Sequence, residues 1–301
     1  MLDQAARLRE LAAAYRAQAA PPPKTRQTQV IAVTSGKGGV GKSNVSVNLA
    51  HALTAAGKEA ILLDADLGMA NADILLGVVP PYHLGHLVSG EKEILDLICQ
   101  TPHHLKLIAG GSGLDELTNL SEAELRPFLE GLSRLDGQAD YLILDTGAGL
   151  STTVQEFVHA ADTVIVVTTP EPTALADAYG AIKAIARRNS APDVRLIINQ
   201  AERTDDANTT AERIIMTARD FLGVKIEHLG TIPRDPHVWQ AVRRQVPFSV
   251  EFPMAPASRA MEILTRRLIL GGSAERVYRA RTGGFFERLA GLFGRKERDA
   301  V

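Results

Sequence analysis

A single cysteine, Cys99, among 301 residues excludes an internal disulfide and any cluster site built on several thiolates, and it points to a reduced cytosol. Charge of one sign is equally scarce. The 33 Lys and Arg stand against 35 Asp and Glu, a formal net charge of −2, which argues against a globally basic nucleic-acid binder and for no direct nucleic-acid partner. No apolar run approaches the ~18 residues of a membrane-spanning helix. Residues 1–19 mix Arg, Asp and Glu with alanine, which is the wrong composition for a secretory signal. No internal repeat is evident. What is present, 45% apolar and 23% charged residues, suffices for one large core with appendages.

Composition divides the chain. Residues 1–19 read as a short amphipathic helix, with Ala5, Leu8, Ala12 and Tyr15 near one face. Residues 20–29 form a linker, stiffened by Pro21, Pro22 and Pro23. From 30 to 272, apolar β-rich runs at 30–33, 60–63, 105–109, 141–144, 163–167, 194–198 and 226–232 alternate with helical stretches such as 43–56, 174–188, 207–222 and 256–270. That order predicts an α/β domain, a doubly wound and mostly parallel sheet with helices on both faces, whose ligand loops gather at the carboxyl ends of the strands. Residues 273–301 form a separate amphipathic tail.

The richest stretch is Ser35-Gly36-Lys37-Gly38-Gly39-Val40-Gly41-Lys42-Ser43, which follows the apolar strand Val30–Val33 and opens a helix. Its glycines let the backbone turn tightly and point N–H groups inward, and the helix start adds its positive dipole end. This is a phosphate-binding loop: Lys42 reaches the β- and γ-phosphates and the Ser43 hydroxyl ligates Mg²⁺. Lys37, directly after the first glycine, departs from the ordinary pattern.

Carboxylates sit at two further strand ends. Leu62-Leu63-Asp64-Ala65-Asp66-Leu67-Gly68 sends Asp64 and Asp66 to one side of a strand. Either could serve phosphoryl transfer, which needs an aligned nucleophile and compensated charge, or simply cap a helix. Tyr141-Leu142-Ile143-Leu144-Asp145 places Asp145 at the sheet's edge, where it can hold the water shell of Mg²⁺. The glycines that follow, Gly147 and Gly149, suit a loop that senses the γ-phosphate.

The loop Lys-Gly-Gly-Val-Gly-Lys-Ser resembles that of the MinD/ParA group of P-loop ATPases. That resemblance implies ATP and Mg²⁺ as cofactors, with Gly36, Gly38, Gly39, Val40 and Gly41 around the phosphates. Lys37 is implied to reach across an ATP-dependent homodimer to the partner's phosphates, Asp66 to orient the attacking water, and Asp64 to support the Mg²⁺ region. Asn199 matches a base-recognising asparagine, although a turn asparagine reads the same. Pro233 and Arg234 resemble the loop on the other side of the base. The proline common in the family after the position of Asp145 is missing. The lone cysteine counts against the iron–sulfur relatives of the fold.

The two ends narrow the resemblance. Asp3-Gln4-Ala5-Ala6-Arg7-Leu8-Arg9 looks like the N-terminal activator motif of the FlhG/FleN/YlxH flagellar regulators. It implies docking on an FlhF-type GTPase through Asp3, Gln4, Ala5 and Leu8, along with flagellar switch-complex partners and, in some members, a transcription activator. In the tail, Phe285, Phe286, Leu289, Leu292 and Phe293 fall within an apolar arc of about 120°, which resembles a reversible membrane-targeting helix for an anionic surface. A helix docked on the core has the same signature, but Gly283 and Gly284 before it favour an independent element. The expected protein is cytoplasmic and reversibly bound at the inner face of the cell membrane. The rival readings are a division-site or partition ATPase and a nucleotide-gated scaffold.

Overall fold

The computed structural model describes residues 27–66, 70–111, 122–149, 152–187, 192–274 and 284–293. Its frame is an eight-stranded sheet in the order β3-β4-β2-β5-β1-β6-β7-β8. The central strands are β1 (Gln29–Thr34), β2 (Ala60–Ala65), β5 (Tyr141–Thr146) and β6 (Thr163–Thr168). Residues of β2, β5 and β6 are buried throughout, as expected of parallel strands covered on both faces. Toward one edge lie β4 (Lys106–Ile108) and the two-residue β3 (Cys99–Gln100), toward the other β7 (Asp193–Ala201) and β8 (Ile226–Pro233). Every pairing is parallel except β3 with β4. The short antiparallel β3 is too brief to leave a pattern in the sequence.

Two apolar layers sandwich the sheet. On one face α1 (Lys42–Ala55), α2 (Ala72–Leu76), α8 (Pro236–Arg244), α9 (Phe248–Glu251) and α10 (Pro256–Ala274) bury Val45, Leu49, Leu53, Leu76, Ala241, Phe248, Met261 and Leu264 against Ile31, Val33 and Leu62. On the other, α3 (Leu84–Val88), α4 (Glu122–Ser133), α5 (Thr152–Ala160), α6 (Pro172–Ala186) and α7 (Thr204–Leu222) bury Leu87, Phe128, Leu132, Phe157, Ile182 and Ile214 against Val30, Leu142 and Val164. The alternation along β1, Val30 and Ala32 to one layer and Ile31 and Val33 to the other, is the period-2 geometry of a strand covered twice.

The last element, α11 (Phe285–Phe293), corrects the expectation of an independent tail helix. It packs against α4 and α5, with Phe285 and Leu289 only 3% and 1% exposed. Arg288 fixes it: its Nε donates to the Ala160 carbonyl at 2.9 Å and a terminal nitrogen to Asp162 Oδ1 at 2.5 Å. Asp162 Oδ2 in turn accepts from the Val30 amide at 2.9 Å. Phe286 is partly buried beside Phe285 in an edge-on ring contact with centroids 4.9 Å apart. The side chains of Leu292 and Phe293 lie outside the described residues, as do Asp3, Gln4, Ala5 and Leu8 of the N-terminal motif.

Candidate functional site

The carboxyl ends of β1, β2, β5 and β7 converge on the loop between β1 and α1. Its glycines differ in purpose. Gly39 and Gly41 hold φ of +82° and +87°, a region that penalises any side chain. Gly36 is required by packing instead, since a Cβ there would lie 2.0 Å from the Asp177 carbonyl oxygen of α6. Gly41 caps α1 without any side-chain hydrogen bond, and the first turn carries no acidic residue. The helix start is therefore left to an anion.

Lys42 is buried, and its Nζ donates to Asp145 Oδ1 at 2.8 Å. Ser46, which the sequence reading passed over, donates to the same oxygen at 2.8 Å. Asp145 Oδ2 is buried with no hydrogen-bond partner, a costly condition for a carboxylate oxygen. That orphan oxygen, on a carboxylate that shares Lys42 with Ser43, fits a hydrated Mg²⁺ held jointly with phosphate oxygens, the manner in which magnesium is commonly bound in phosphoryl-transfer sites. Among the described residues no group of three or more His, Cys, Asp or Glu forms a metal cage. Ser43 and Asp145 are the side chains that would hold the ion, which would neutralise charge on the β- and γ-phosphates.

Asp64, expected to support the Mg²⁺ region, is held by backbone amides and neighbours Asp145. Its Oδ1 accepts from the Asp66 amide at 3.1 Å, and its Oδ2 accepts from the Asn71 and Ala72 amides at 2.9 and 3.0 Å. Both oxygens accept from backbone, which ties Asp64 to the loop between β2 and α2. Burial, and then the neighbouring Asp145 carboxylate, pushes its pKa up to about 7 against the pull of those amides. Asp66 lies farther out, against the loop after β5: a Cβ on Gly147 would come within 3.3 Å of Asp66 Oδ1. The same loop is tied to the phosphate loop, because the Gly149 amide donates to the Ser35 carbonyl at 3.1 Å.

Lys37 does not join its own phosphate cradle. Its Nζ lies 3.3 Å from Glu171 Oε2 and 3.2 Å from Thr173 Oγ1 at the start of α6, an exposed pair worth little by itself. Asn199 is buried, and its Nδ2 donates to the Val40 carbonyl at 2.8 Å. Its nitrogen would stand 2.4 Å from a Cβ on Gly41, a second reason for that glycine. Arg234 follows β8 directly, its amide donating to the Ala201 carbonyl at 2.9 Å while its side chain pairs with Glu202 Oε1 at 2.5 Å. Pro233 closes the strand beside it. The structure thus gathers Lys42, Ser43, Asp64 and Asp145 with the loop glycines. It sets Asn199 against that loop and places Lys37 at its rim.

The sequence was compared with known proteins. Residues 31–248 match the model of the CobQ/CobB/MinD/ParA nucleotide-binding domain. The chain is 37% identical over 240 residues to the antiactivator FleN of Pseudomonas aeruginosa, covering 80% of this chain and 86% of that protein. It is 38% identical over 220 residues to the flagellum site-determining protein YlxH of Helicobacter pylori, covering 72% and 74% respectively. The crystal structure of the septum site-determining protein MinD of Pyrococcus horikoshii, complexed with Mg-ADP, superposes with a TM-score of 0.68 at 24% identity, covering 82% of this chain and 99% of that one. With a family match over most of its length and a P-loop built from the residues described, this chain belongs to the CobQ/CobB/MinD/ParA nucleotide-binding family, as an ATPase of the MinD/ParA type.

Proposed function

We propose that this ATPase is a nucleotide-driven dimer switch that regulates flagellar number or placement and cycles on and off the membrane. The observation that carries the switch is the position of Lys37. Its ammonium is exposed at the rim of the phosphate loop on Glu171 and Thr173, a position from which we infer that it reaches the nucleotide of a second chain. An exposed pair of this kind is cheaply exchanged for phosphate oxygens. With Mg-ATP bound, Lys42 would turn from Asp145 to the phosphates, and Asp66, beside the loop after β5, would orient the attacking water.

Membrane cycling follows from α11. The side chains that would enter a bilayer, Phe285 and Leu289, are those buried against α4 and α5, so docking and membrane binding compete for one apolar face. Each such side chain is worth about 1.5–3 kcal/mol when buried, and one short helix binds lipid reversibly. Two helices brought together in a dimer bind bivalently. No described helix is long and apolar enough to cross a membrane. The flagellar assignment is supported by the similarity to FleN and YlxH over 72–80% of the chain. It extends to an FlhF-type GTPase, stimulated by residues 1–19 with Gln4 near its nucleotide, and to switch-complex components.

Sedimentation with a non-hydrolysable ATP analogue tests the switch: Lys37→Ala is expected to bind nucleotide yet stay monomeric. An unchanged ATP-dependent dimer in that variant would remove the sandwich model. For the flagellar assignment, GTP hydrolysis by an FlhF-type GTPase is measured with the full chain and with Gln4→Ala. Stimulation should be lost while ATPase activity stays normal. Absence of stimulation by the unaltered chain would shift the reading toward division-site or partition roles.

A further inference from the structure

Gln200 is a residue to which neither the motif pattern nor the proposed cycle gives a role. In a regular strand, adjacent side chains face opposite sides, so Asn199 and Gln200 could not both address the phosphate loop. They do so because β7 is irregular there. Its pairing with β8 slips between Ile198 and Ala201, and Gln200 adopts φ +54°, a conformation uncommon for a residue with a side chain and frequent at functional sites. Bulges of this kind re-aim side chains next to active sites.

The result is two amide groups on two consecutive carbonyls. Asn199 Nδ2 donates to Val40 O at 2.8 Å, and Gln200 Nε2 donates to Gly39 O at 3.3 Å. In a trans peptide the carbonyl of one residue and the N–H of the next point in opposite directions. Holding the Gly39 and Val40 carbonyls toward β7 therefore aims the Val40 and Gly41 amides to the opposite side of the loop. Successive N–H groups aimed together form an anion-binding concavity. The positive φ of Gly39 and Gly41 on either side supplies the matching backbone turns.

We infer that Gln200 is a positioning residue for nucleotide binding: its amide clamps the Gly39 carbonyl from behind and so pre-orients the phosphate-facing amides. It touches the loop and not the nucleotide, and its action is on ground-state affinity rather than on the chemical step. The inference rests on residues 36–43 being the phosphate loop, and Lys42→Ala serves as the separate check on that reading.

The test uses the full chain with Mg-ATP and Mg-ADP. Gln200→Met keeps the length but lacks the donor. Gln200→Gly lacks the donor but relieves the positive φ. Both variants are expected to bind ATP and ADP about 3- to 10-fold more weakly, the scale of one exposed hydrogen bond amplified over the amides it orients. The loss should appear in KM, with kcat at saturation within about twofold of wild type. Stability should move the other way in Gln200→Gly, whose Tm holds or rises while affinity falls. Wild-type affinity in Gln200→Met would show that packing and not donation matters, and would overturn the proposal. So would a loss confined to kcat, or a loss of affinity that tracks a falling Tm in both variants. If Lys42→Ala retains wild-type affinity, the loop reading itself fails, whatever the Gln200 variants do.

Discussion

The two edges of the sheet use their polar groups differently. At the amino edge, polar groups tie segments of the chain together, with Arg195 Nη1 near the start of β7 and Thr101 Oγ1 beside the start of β4 as buried exceptions that lack a hydrogen-bond partner. Thr28 donates its hydroxyl to the Ala139 carbonyl at 2.8 Å and its amide to Asp136 Oδ1 at 3.1 Å, Asp140 accepts from the Glu59 amide at 2.9 Å, and Asp162 joins Val30 to Arg288. At the carboxyl edge, polar groups are left over or strained. Asp145 Oδ2 is buried without a partner, α1 starts without a side-chain cap, and Gly39, Gly41 and Gln200 hold positive φ. Satisfied networks fix structure, whereas an unpartnered carboxylate oxygen beside an uncapped helix start suits a cation held with an anionic ligand. The amino edge holds segments of the chain, and the carboxyl edge holds nucleotide.

The largest expected effect tests the chemistry of the carboxyl edge. Asp66→Ala should bind Mg-ATP nearly normally, because the cradle of Gly39, Val40, Gly41, Lys42 and Ser43 is untouched, yet lower kcat by about 100-fold through loss of water positioning. Single-turnover hydrolysis with saturating ATP measures it. Turnover within twofold of wild type would make Asp66 a loop-shaping residue.

A smaller effect tests the amino side, where α11 is docked by two apolar side chains and one ion pair. A substitution in a docked helix costs no more than its docking free energy, since beyond that point the helix leaves. Leu289→Asp should therefore lower stability to urea by about 1–3 kcal/mol, and Leu62→Asp in β2 by more than about 4 kcal/mol. Equal losses would mean that α11 is an inseparable part of the core, and the competition with lipid would fall. The ATPase site, on the other edge, should keep its affinity in Leu289→Asp.

How much of this was legible depends on how far apart the cooperating residues lie. The phosphate loop is nine consecutive residues after a strand, so Lys42, Ser43 and the positive-φ glycines were readable from spacing alone. Asp145 and the alternating layers followed from apolar runs of strand length. Gln200 and Glu171 were not readable as partners of the loop, because they meet it from 161 and 134 residues away through a strand irregularity and a helix start. Gly36 looked like a turn glycine, yet answers to the backbone of α6. For α11 the sequence was ambiguous in principle: the apolar face that enters a bilayer and the one that enters a groove have the same period. Asp64 presented a carboxylate at a strand end, and only the loop that returns to it as Asn71 and Ala72 reveals that its oxygens accept from backbone.

The smallest expected effect concerns that carboxylate and the price of placing it at the ligand edge. Asp64 has a pKa near 7 in the folded chain, raised by burial and by Asp145 from an ordinary value of 3.8. An acid whose folded pKa is raised binds more protons in the native state than in the unfolded one between those two values. Its favourable contribution is complete below about pH 3.8 and is lost as pH rises through about 7. The nucleotide-free protein should therefore lose stability between pH 6 and 8, by roughly a few degrees in Tm. Asp64→Asn lacks the titration, so its Tm should be flatter over the same range, whatever its baseline. Comparing the two slopes cancels the other carboxylates, which are ionised across this window. Parallel slopes would show that Asp64 is charged throughout, held by the three amides that face it, and that the carboxyl edge stores less electrostatic strain than its geometry implies.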